Sequence, residues 1–94
     1  VSDEVYATLT FGKEHVSITS LPGMADRTVT ISSLSKSHAM TGWRIGWVLA
    51  NEALVNHVET LVLSMLYGLP GFVMEAALKA VQSHDEVTHG MRET

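Results

Sequence analysis

The sequence of 94 residues contains no cysteine, which excludes a disulfide framework and a thiolate metal site. It also lacks an excess of basic residues, because 6 Lys and Arg stand against 10 Asp and Glu and give a net charge of -4. No segment gathers the basic residues into a stripe that could neutralise a phosphate backbone, so we expect no nucleic acid partner. With no cysteine and no apolar signal segment at the start of the sequence, we predict a cytoplasmic protein.

Long hydrophobic runs are also missing. The longest stretch without Asp, Glu, Lys or Arg extends from Thr60 to Met74, and Gly68, Pro70 and Gly71 interrupt it. A membrane-spanning helix needs about 18 to 20 apolar residues, which is more than this stretch provides. We therefore expect no membrane span.

The composition, with 46% hydrophobic and 17% charged residues, is typical of one globular unit and excludes a disordered chain or a coiled coil. The first residues, Val1 to Val5, are typical of the end of a strand. The last residues, 85–94, are typical of a helix that is cut short. We therefore expect the chain to be a fragment of a longer polypeptide and to be inactive on its own.

Two internal segments have the composition of β-strands. Residues 28–33 are rich in β-branched side chains and follow the turn-like segment 21–27. Residues 44–50 form a second apolar run of strand length. This run would place Arg44 inside an apolar strand, where a buried guanidinium needs an anionic or hydrogen-bonding partner. The polar residues 34–40 between the two strands are expected to form a loop.

From Asn51 onward the spacing of apolar residues becomes helical. The stripe of the first predicted helix consists of Leu54, Val58, Leu61 and Met65. Asn51 is a suitable N-cap, and Gly68 followed by Pro70 is a stop signal.

Two further helices are predicted. One covers about residues 70–83, and one face of it carries Val73, Ala77 and Val81. Asp85 is expected to cap the other helix, which would run through Thr94. Strands interleaved with helices indicate an α/β architecture, but three strand segments do not determine strand order or direction.

The segment after residue 32 carries the side chains of an anion site: the hydroxyls of Ser33 and Ser35, the amine of Lys36 and the guanidinium of Arg44. Loops at strand ends in α/β folds commonly form ligand crevices, and an arginine fork with hydroxyl donors matches a phosphate. A cationic neighbour disfavours the charged form of a lysine, so that its amine can attack a carbonyl. A phosphate and an aldehyde together suggest pyridoxal phosphate. The alternative, for each residue alone, is a polar surface loop.

Two linked motifs make the pattern specific. They consist of Asp3 and Tyr6 near the start of the chain, and of Ser33, Ser35, Lys36 and Arg44. The run from Ser33 to Gly46 resembles the cofactor-lysine signature of the class I, fold type I aminotransferases, the family of the aspartate aminotransferase fold. The run from Ser2 to Tyr6 resembles its upstream companion, and the helix start at residues 69–72 also fits. The resemblance therefore covers nearly the whole chain.

The resemblance implies an α/β fragment, residues 1–94, of the mixed-sheet large domain that binds pyridoxal phosphate. Residues 85–94 would begin the helix that leads to the small domain. Lys36 would hold the cofactor as a Schiff base and move the proton during the reaction. Asp3 would pair with the pyridine nitrogen, and Tyr6 would donate its phenol to the ring oxygen. The phosphate would be bound by Arg44, Ser33 and Ser35.

The implied activity is that of an aminotransferase, which moves an amino group between an amino acid and a 2-oxo acid, in a full-length homodimer. The stretch 33–47, with residues 65–68, is similar to bacterial aminotransferases of the arginine-pyruvate group, but nothing in it contacts a substrate side chain. Two alternatives stay open: a lyase or decarboxylase on the same fold, and an inactive folded or dimerising fragment. His38 is expected to form a local hydrogen bond only, and no metal site is expected.

Overall fold

The computed structural model describes residues 1–93 as a small mixed sheet followed by helices. The strands are β1 (Ser2–Asp3), β2 (Thr30–Ser33) and β3 (Gly46–Leu49), in that spatial order. β1 and β2 are parallel, with Ser2 opposite Thr30, whereas β2 and β3 are antiparallel, with Ser33 opposite Gly46. The α-helices of the described residues are α1 (Leu34–Ser37), α2 (Glu52–Met65), α3 (Gly71–Gln82) and α4 (His84–Arg92). The predicted α/β class is confirmed.

β2 and β3 lie inside the two internal segments predicted for them, β1 lies within residues 1–5, and three short 3-10 turns connect the elements. These turns are Ile18–Ser20, Ala25–Arg27 and Thr41–Trp43. The second strand segment was predicted to begin at Arg44, but β3 begins at Gly46. Arg44 instead has a left-handed backbone, with φ 52° and ψ 50°, and is exposed. The expectation of a guanidinium buried inside a strand is therefore wrong.

The predicted loop 34–40 begins with one turn of helix, α1. Ser33 is its N-cap, and the Ser33 hydroxyl accepts a hydrogen bond from the Ser35 backbone N–H at 3.2 Å. Serine is a favoured N-cap because its side chain satisfies an N–H that has no partner inside the helix. The turn also buries Leu34, which is 1% exposed. A polar composition alone does not reveal this cap, so the loop prediction was wrong over these residues.

Helix α2 is confirmed together with its cap, because the Asn51 side chain accepts a hydrogen bond from the Leu54 N–H at 3.0 Å. Its predicted apolar stripe is only partly covered: Leu61 is 59% and Met65 is 76% exposed. The side of α2 that lines the cleft with β2 and β3 carries Val55, Val58 and Val62, and neither Leu61 nor Met65 belongs to this lining.

The core lies where α1 meets α3. Its buried side chains are Leu34, Ile45 and Val73, and Met40, Ala77 and Ala80 pack against them. Val81, which was predicted on the same face of α3, is 56% exposed.

Helix α4 begins one residue before the predicted cap. Ser83 is its N-cap and makes no side-chain cap bond, so the prediction that Asp85 caps this helix was wrong. The Ser83 N–H donates to the Lys79 and Ala80 carbonyls at the end of α3, and Ser83 is the single residue between the two helices. Asp85 lies in the first turn of α4, where the helix dipole favours a carboxylate. The predicted end of this helix at Thr94 lies outside the described residues.

Within residues 1–93, none of the helices has both the length and the apolar character that crossing a membrane requires.

Candidate functional site

The register of the sheet brings the predicted site residues to one edge. Asp3 ends β1 and Ser33 ends β2, and these strands are parallel, so their carboxyl ends share an edge. β3 is antiparallel to β2 and starts at Gly46, so Arg44, two residues earlier, lies at this edge too. Lys36 belongs to α1, which follows β2 without a break. Carboxyl ends of strands are the usual place for ligands in α/β sheets.

An open cleft of about 680 Å³ lies between the strands β2 and β3 and the helix α2. Three of the predicted phosphate-binding residues line it: Ser33, Ser35 and Arg44. Hydrophobic side chains of α2, among them Val55, Val58 and Val62, form most of the opposite wall, which also carries Glu59. The cleft therefore combines a polar end with an apolar side, which is typical of sites for small molecules that carry one charged group.

The polar end of the cleft has free hydrogen-bonding capacity. The Ser33 hydroxyl accepts the Ser35 N–H with one lone pair, and its own proton is available for a ligand. Arg44 donates one guanidinium N–H to the Thr41 carbonyl at 2.8 Å. A guanidinium has five N–H donors, so four remain after this bond has fixed the side chain. The left-handed backbone of Arg44 is uncommon for a residue with a side chain, and such conformations concentrate at functional sites.

The other predicted residues lie beside the cleft and do not line it. Lys36 is exposed on α1, one residue after Ser35. Asp3 is exposed, and its Oδ1 accepts the Val5 N–H at 3.2 Å, which leaves Oδ2 for another partner. Tyr6 lies in the turn after β1 and is 59% exposed.

Glu4 is a site-forming residue that the sequence did not reveal. Its carboxylate accepts hydrogen bonds from Ser17 at 2.8 Å and from Ser2 at 3.1 Å, and it lies 3.4 Å from Nε2 of His15. Burial acts to raise the pKa of Glu4, but the hydrogen bonds from Ser17, Ser2 and His15 outweigh it and lower the pKa below its ordinary value. The main chain of Glu4 also bonds to β2, because its N–H donates to the Ile31 carbonyl at 2.8 Å. These bonds hold the segment that carries Asp3.

Gly46 allows β3 to lie close to the end of β2. A Cβ at this position would lie 2.8 Å from the Ser32 carbonyl oxygen and 3.2 Å from the Ser33 Cβ. Real Cβ atoms do not approach a carbonyl oxygen this closely. The glycine therefore determines how near Arg44 comes to the turn of Ser33.

His38 forms the expected local hydrogen bond to Ser37, but it also bonds to α3, which was not expected. Its ring is 8% exposed and lies between the Ser37 hydroxyl, at 2.8 Å from Nδ1, and the Ala80 carbonyl, at 3.0 Å from Nε2. The ring points toward α3 rather than into the cleft, whose lining residues do not include it.

Comparison with known proteins identifies the family. The family model for aminotransferase class I and II matches residues 1–94. The arginine–pyruvate transaminase AruH of Pseudomonas aeruginosa is 58% identical over 93 residues, which cover 99% of this chain and 24% of that protein. Kynurenine–oxoglutarate transaminase 1 of Rattus norvegicus is 46% identical over 71 residues, 74% of this chain and 17% of that protein. The chain therefore spans about a quarter or less of the length of these relatives.

Solved structures agree. N-succinyldiaminopimelate aminotransferase from Mycobacterium tuberculosis superposes with a TM-score of 0.89 at 33% identity, over 97% of this chain and 24% of that one. An aromatic aminotransferase from Pyrococcus horikoshii superposes with a TM-score of 0.89 at 35% identity, over 98% of this chain and 26% of that one. The sheet edge, the cleft and these similarities lead to one conclusion: the chain belongs to the aminotransferase class I and II family.

Proposed function

We propose that the polypeptide carrying this chain is a pyridoxal-phosphate-dependent aminotransferase that exchanges an amino group between an amino acid and a 2-oxo acid. The observation that supports this most is the common location of Ser33, Ser35 and Arg44 in one cleft, with Lys36 on the adjoining turn. Membership of the aminotransferase class I and II family supports it independently.

The donor set of the cleft fits the phosphate of this cofactor. Two hydroxyls and a guanidinium with unused N–H groups can bind a dianion from several sides. Pyridoxal phosphate supplies an aldehyde that condenses with amines and a ring that accepts electrons from the substrate. Arg44, Ser33 and Ser35 would bind the phosphate, and Lys36 would provide the primary amine.

The chain's own residues would then position groups and move protons. Nζ of Lys36 would accept the proton from the substrate carbon and later release it, which requires a fixed α1 turn. Oδ2 of Asp3, left over after the bond to Val5, would hold a proton on the pyridine nitrogen. Tyr6 would donate its phenolic proton to the ring oxygen. The apolar wall of α2 would exclude water from one side of the cleft.

We also propose a homodimer, a cytoplasmic location and a role for further parts of the polypeptide. Exposed apolar side chains at the end of α2, such as Met65 at 76% and Tyr67 at 89%, support an interface there. Of the three arginines in the sequence, Arg44 alone lines the cleft, whereas Arg92 donates to the Thr8 carbonyl at 2.9 Å. A second arginine for a substrate carboxylate is thus absent from the cleft, and the 94-residue chain alone is expected not to transaminate.

The test is amino-group exchange by the full-length protein. The protein is incubated with pyridoxal phosphate, a nitrogen-labelled amino acid and a 2-oxo acid, and the new amino acid is measured by mass. Arginine and pyruvate form the first pair because the 58% identical relative is an arginine–pyruvate transaminase. Label should appear in alanine, and the Lys36→Ala variant should lose this exchange. Release of ammonia or carbon dioxide without an oxo acid would instead identify a lyase or a decarboxylase.

A further inference from the structure

A hydrogen-bonded chain connects the turn of Lys36 to the end of α3. It starts at the Ser33 carbonyl, 3.4 Å from the Ser37 hydroxyl, and continues from that hydroxyl to Nδ1 of His38 at 2.8 Å. Nε2 of His38 then reaches the Ala80 carbonyl of α3 at 3.0 Å. The contact between His38 and Ala80 joins residues that are 42 positions apart. His38 thus links the α1 turn to α3 by a hydrogen bond, in addition to the packing of Leu34.

The acceptors along this chain determine the state of the ring. The Ala80 carbonyl can only accept, so Nε2 carries a proton. In a neutral ring Nδ1 is then an acceptor, and the Ser37 hydroxyl donates its proton to it. A hydroxyl has one proton, so Ser37 cannot donate to the Ser33 carbonyl at the same time. The longer distance to that carbonyl, 3.4 Å against 2.8 Å, agrees with this assignment.

A second proton on the ring would reverse the bond to Ser37. Nδ1 would become a donor, the Ser37 hydroxyl would accept from it, and the hydroxyl proton would turn to the Ser33 carbonyl. Ser37 is 6% exposed, so bulk water does not compete for these positions. The α1 turn therefore has two hydrogen-bonding arrangements, and the charge of His38 selects between them.

The surroundings favour the neutral ring. Burial lowers the pKa of His38 below its ordinary value, and His84 lowers it further, against the opposite effect of the Ala80 carbonyl. The His84 ring of α4 lies 5.2 Å from the His38 ring, centroid to centroid. The other charged or titratable side chains on the packed elements are exposed: Lys36 on α1, Glu75 and Lys79 on α3, and Asp85, Glu86, His89 and Arg92 on α4.

We propose that His38 is a positioning residue for Lys36: its neutral ring, held between Ser37 and Ala80, orients the Ser37 hydroxyl and so fixes the α1 turn that carries the lysine. The role of Lys36 itself rests on the proposed function, but the coupling between His38 and the turn does not. The chain of hydrogen bonds ends on the backbone carbonyl of Ser33, the residue that caps α1 and lines the cleft.

The test follows the ring and the turn in the same sample of full-length protein without added cofactor. Nuclear magnetic resonance measures the His38 ring titration and the backbone amide shift of Lys36 as the pH falls. In a parallel series, the rate at which Lys36 reacts with pyridoxal phosphate is measured by borohydride reduction and peptide mass. We expect an inflection in the amide shift and in the rate at the pH where His38 gains its proton. A flat Lys36 amide across that titration would overturn the proposal.

Four variants separate positioning from simple packing. In Ser37→Ala the ring still titrates, but the Lys36 amide should no longer report it. His38→Gln can donate to Ala80 without titrating, so the inflection should vanish while the rate at neutral pH stays within about twofold. His38→Phe fills the space without a donor, and the rate at neutral pH should fall about fivefold, which is the effect of one lost hydrogen bond. His89→Gln, which changes an exposed histidine paired with Glu93, should leave both readouts unchanged.

The outcomes distinguish this proposal from the proposed function. If Lys36 of the unmodified protein does not react with pyridoxal phosphate, the proposed function fails, and the amide shift still decides the coupling. If the His38 ring stays neutral at every pH at which the protein is folded, the reaction rates of His38→Gln and His38→Phe at neutral pH test the coupling instead. Equal rates in these two variants, or an inflection that persists in Ser37→Ala, would show that His38 only fills space.

Discussion

The close approach of β3 to β2 at Gly46 can be tested by adding one methyl group. In Gly46→Ala the new Cβ would lie 2.8 Å from the Ser32 carbonyl oxygen and 3.2 Å from the Ser33 Cβ. The Ser32 oxygen belongs to the backbone of β2 and cannot rotate away, so the strands must separate. Overpacking of this kind costs about 1–3 kcal/mol. We expect the free energy of unfolding to fall by about this amount and the affinity for pyridoxal phosphate to fall with it.

Gly42→Ala is the matched control. Gly42 lies in the neighbouring 3-10 turn, and a Cβ there meets no atom within 4 Å. A Gly→Ala change at a compatible site stabilises by about 0.4–1 kcal/mol through the unfolded chain. Chemical denaturation of the full-length variants, followed by the fluorescence of Trp43 and Trp47, measures both changes. The reasoning is refuted if Gly46→Ala is as stable as Gly42→Ala or binds pyridoxal phosphate as tightly as the unmodified protein.

Three further predictions concern β1, α2 and the division of roles in the site. The folded protein lowers the pKa of Glu4, so the ionised Glu4 carboxylate stabilises the fold fully above about pH 4.5. This stabilisation is lost as the pH falls through the lowered pKa. Glu4→Gln should therefore flatten the pH dependence of the unfolding free energy in this acidic range. Asn51→Ala removes the cap on the Leu54 N–H and should cost about 1 kcal/mol in denaturation. Asp3→Asn should slow proton loss from the substrate while the cofactor stays bound, whereas Arg44→Ala should mainly weaken cofactor binding. Equal effects of both variants on the rate and on the cofactor dissociation constant would contradict this division of roles.

The sequence predicted those parts of the fold that depend on neighbouring residues. Helix α2 and its Asn51 cap are examples, because the cap bond reaches only three residues along the chain. The turn of α1 was not predicted, because a serine N-cap and a polar loop have the same composition. The turn is favoured by the burial of Leu34, and this burial depends on α3, which lies far along the chain.

The sequence predicted a set of candidate site residues but not their geometry. The motif spacing identified Ser33, Ser35 and Arg44, and the structure brings these three into one cleft. The contacts that hold the segment of Asp3 were not predictable, because they join distant positions. Glu4 bonds to Ser17 across 13 residues, and only the folded chain brings these side chains together.

The covalent attachment point of pyridoxal phosphate tests the central claim most directly. The full-length protein is reduced with borohydride in the presence of the cofactor and digested, and the pyridoxyl group is located by mass. The account predicts the group on the peptide that contains Lys36, because this lysine adjoins the polar end of the cleft. A pyridoxyl group found only on Lys13 or Lys79, or on no lysine of this chain, would contradict it.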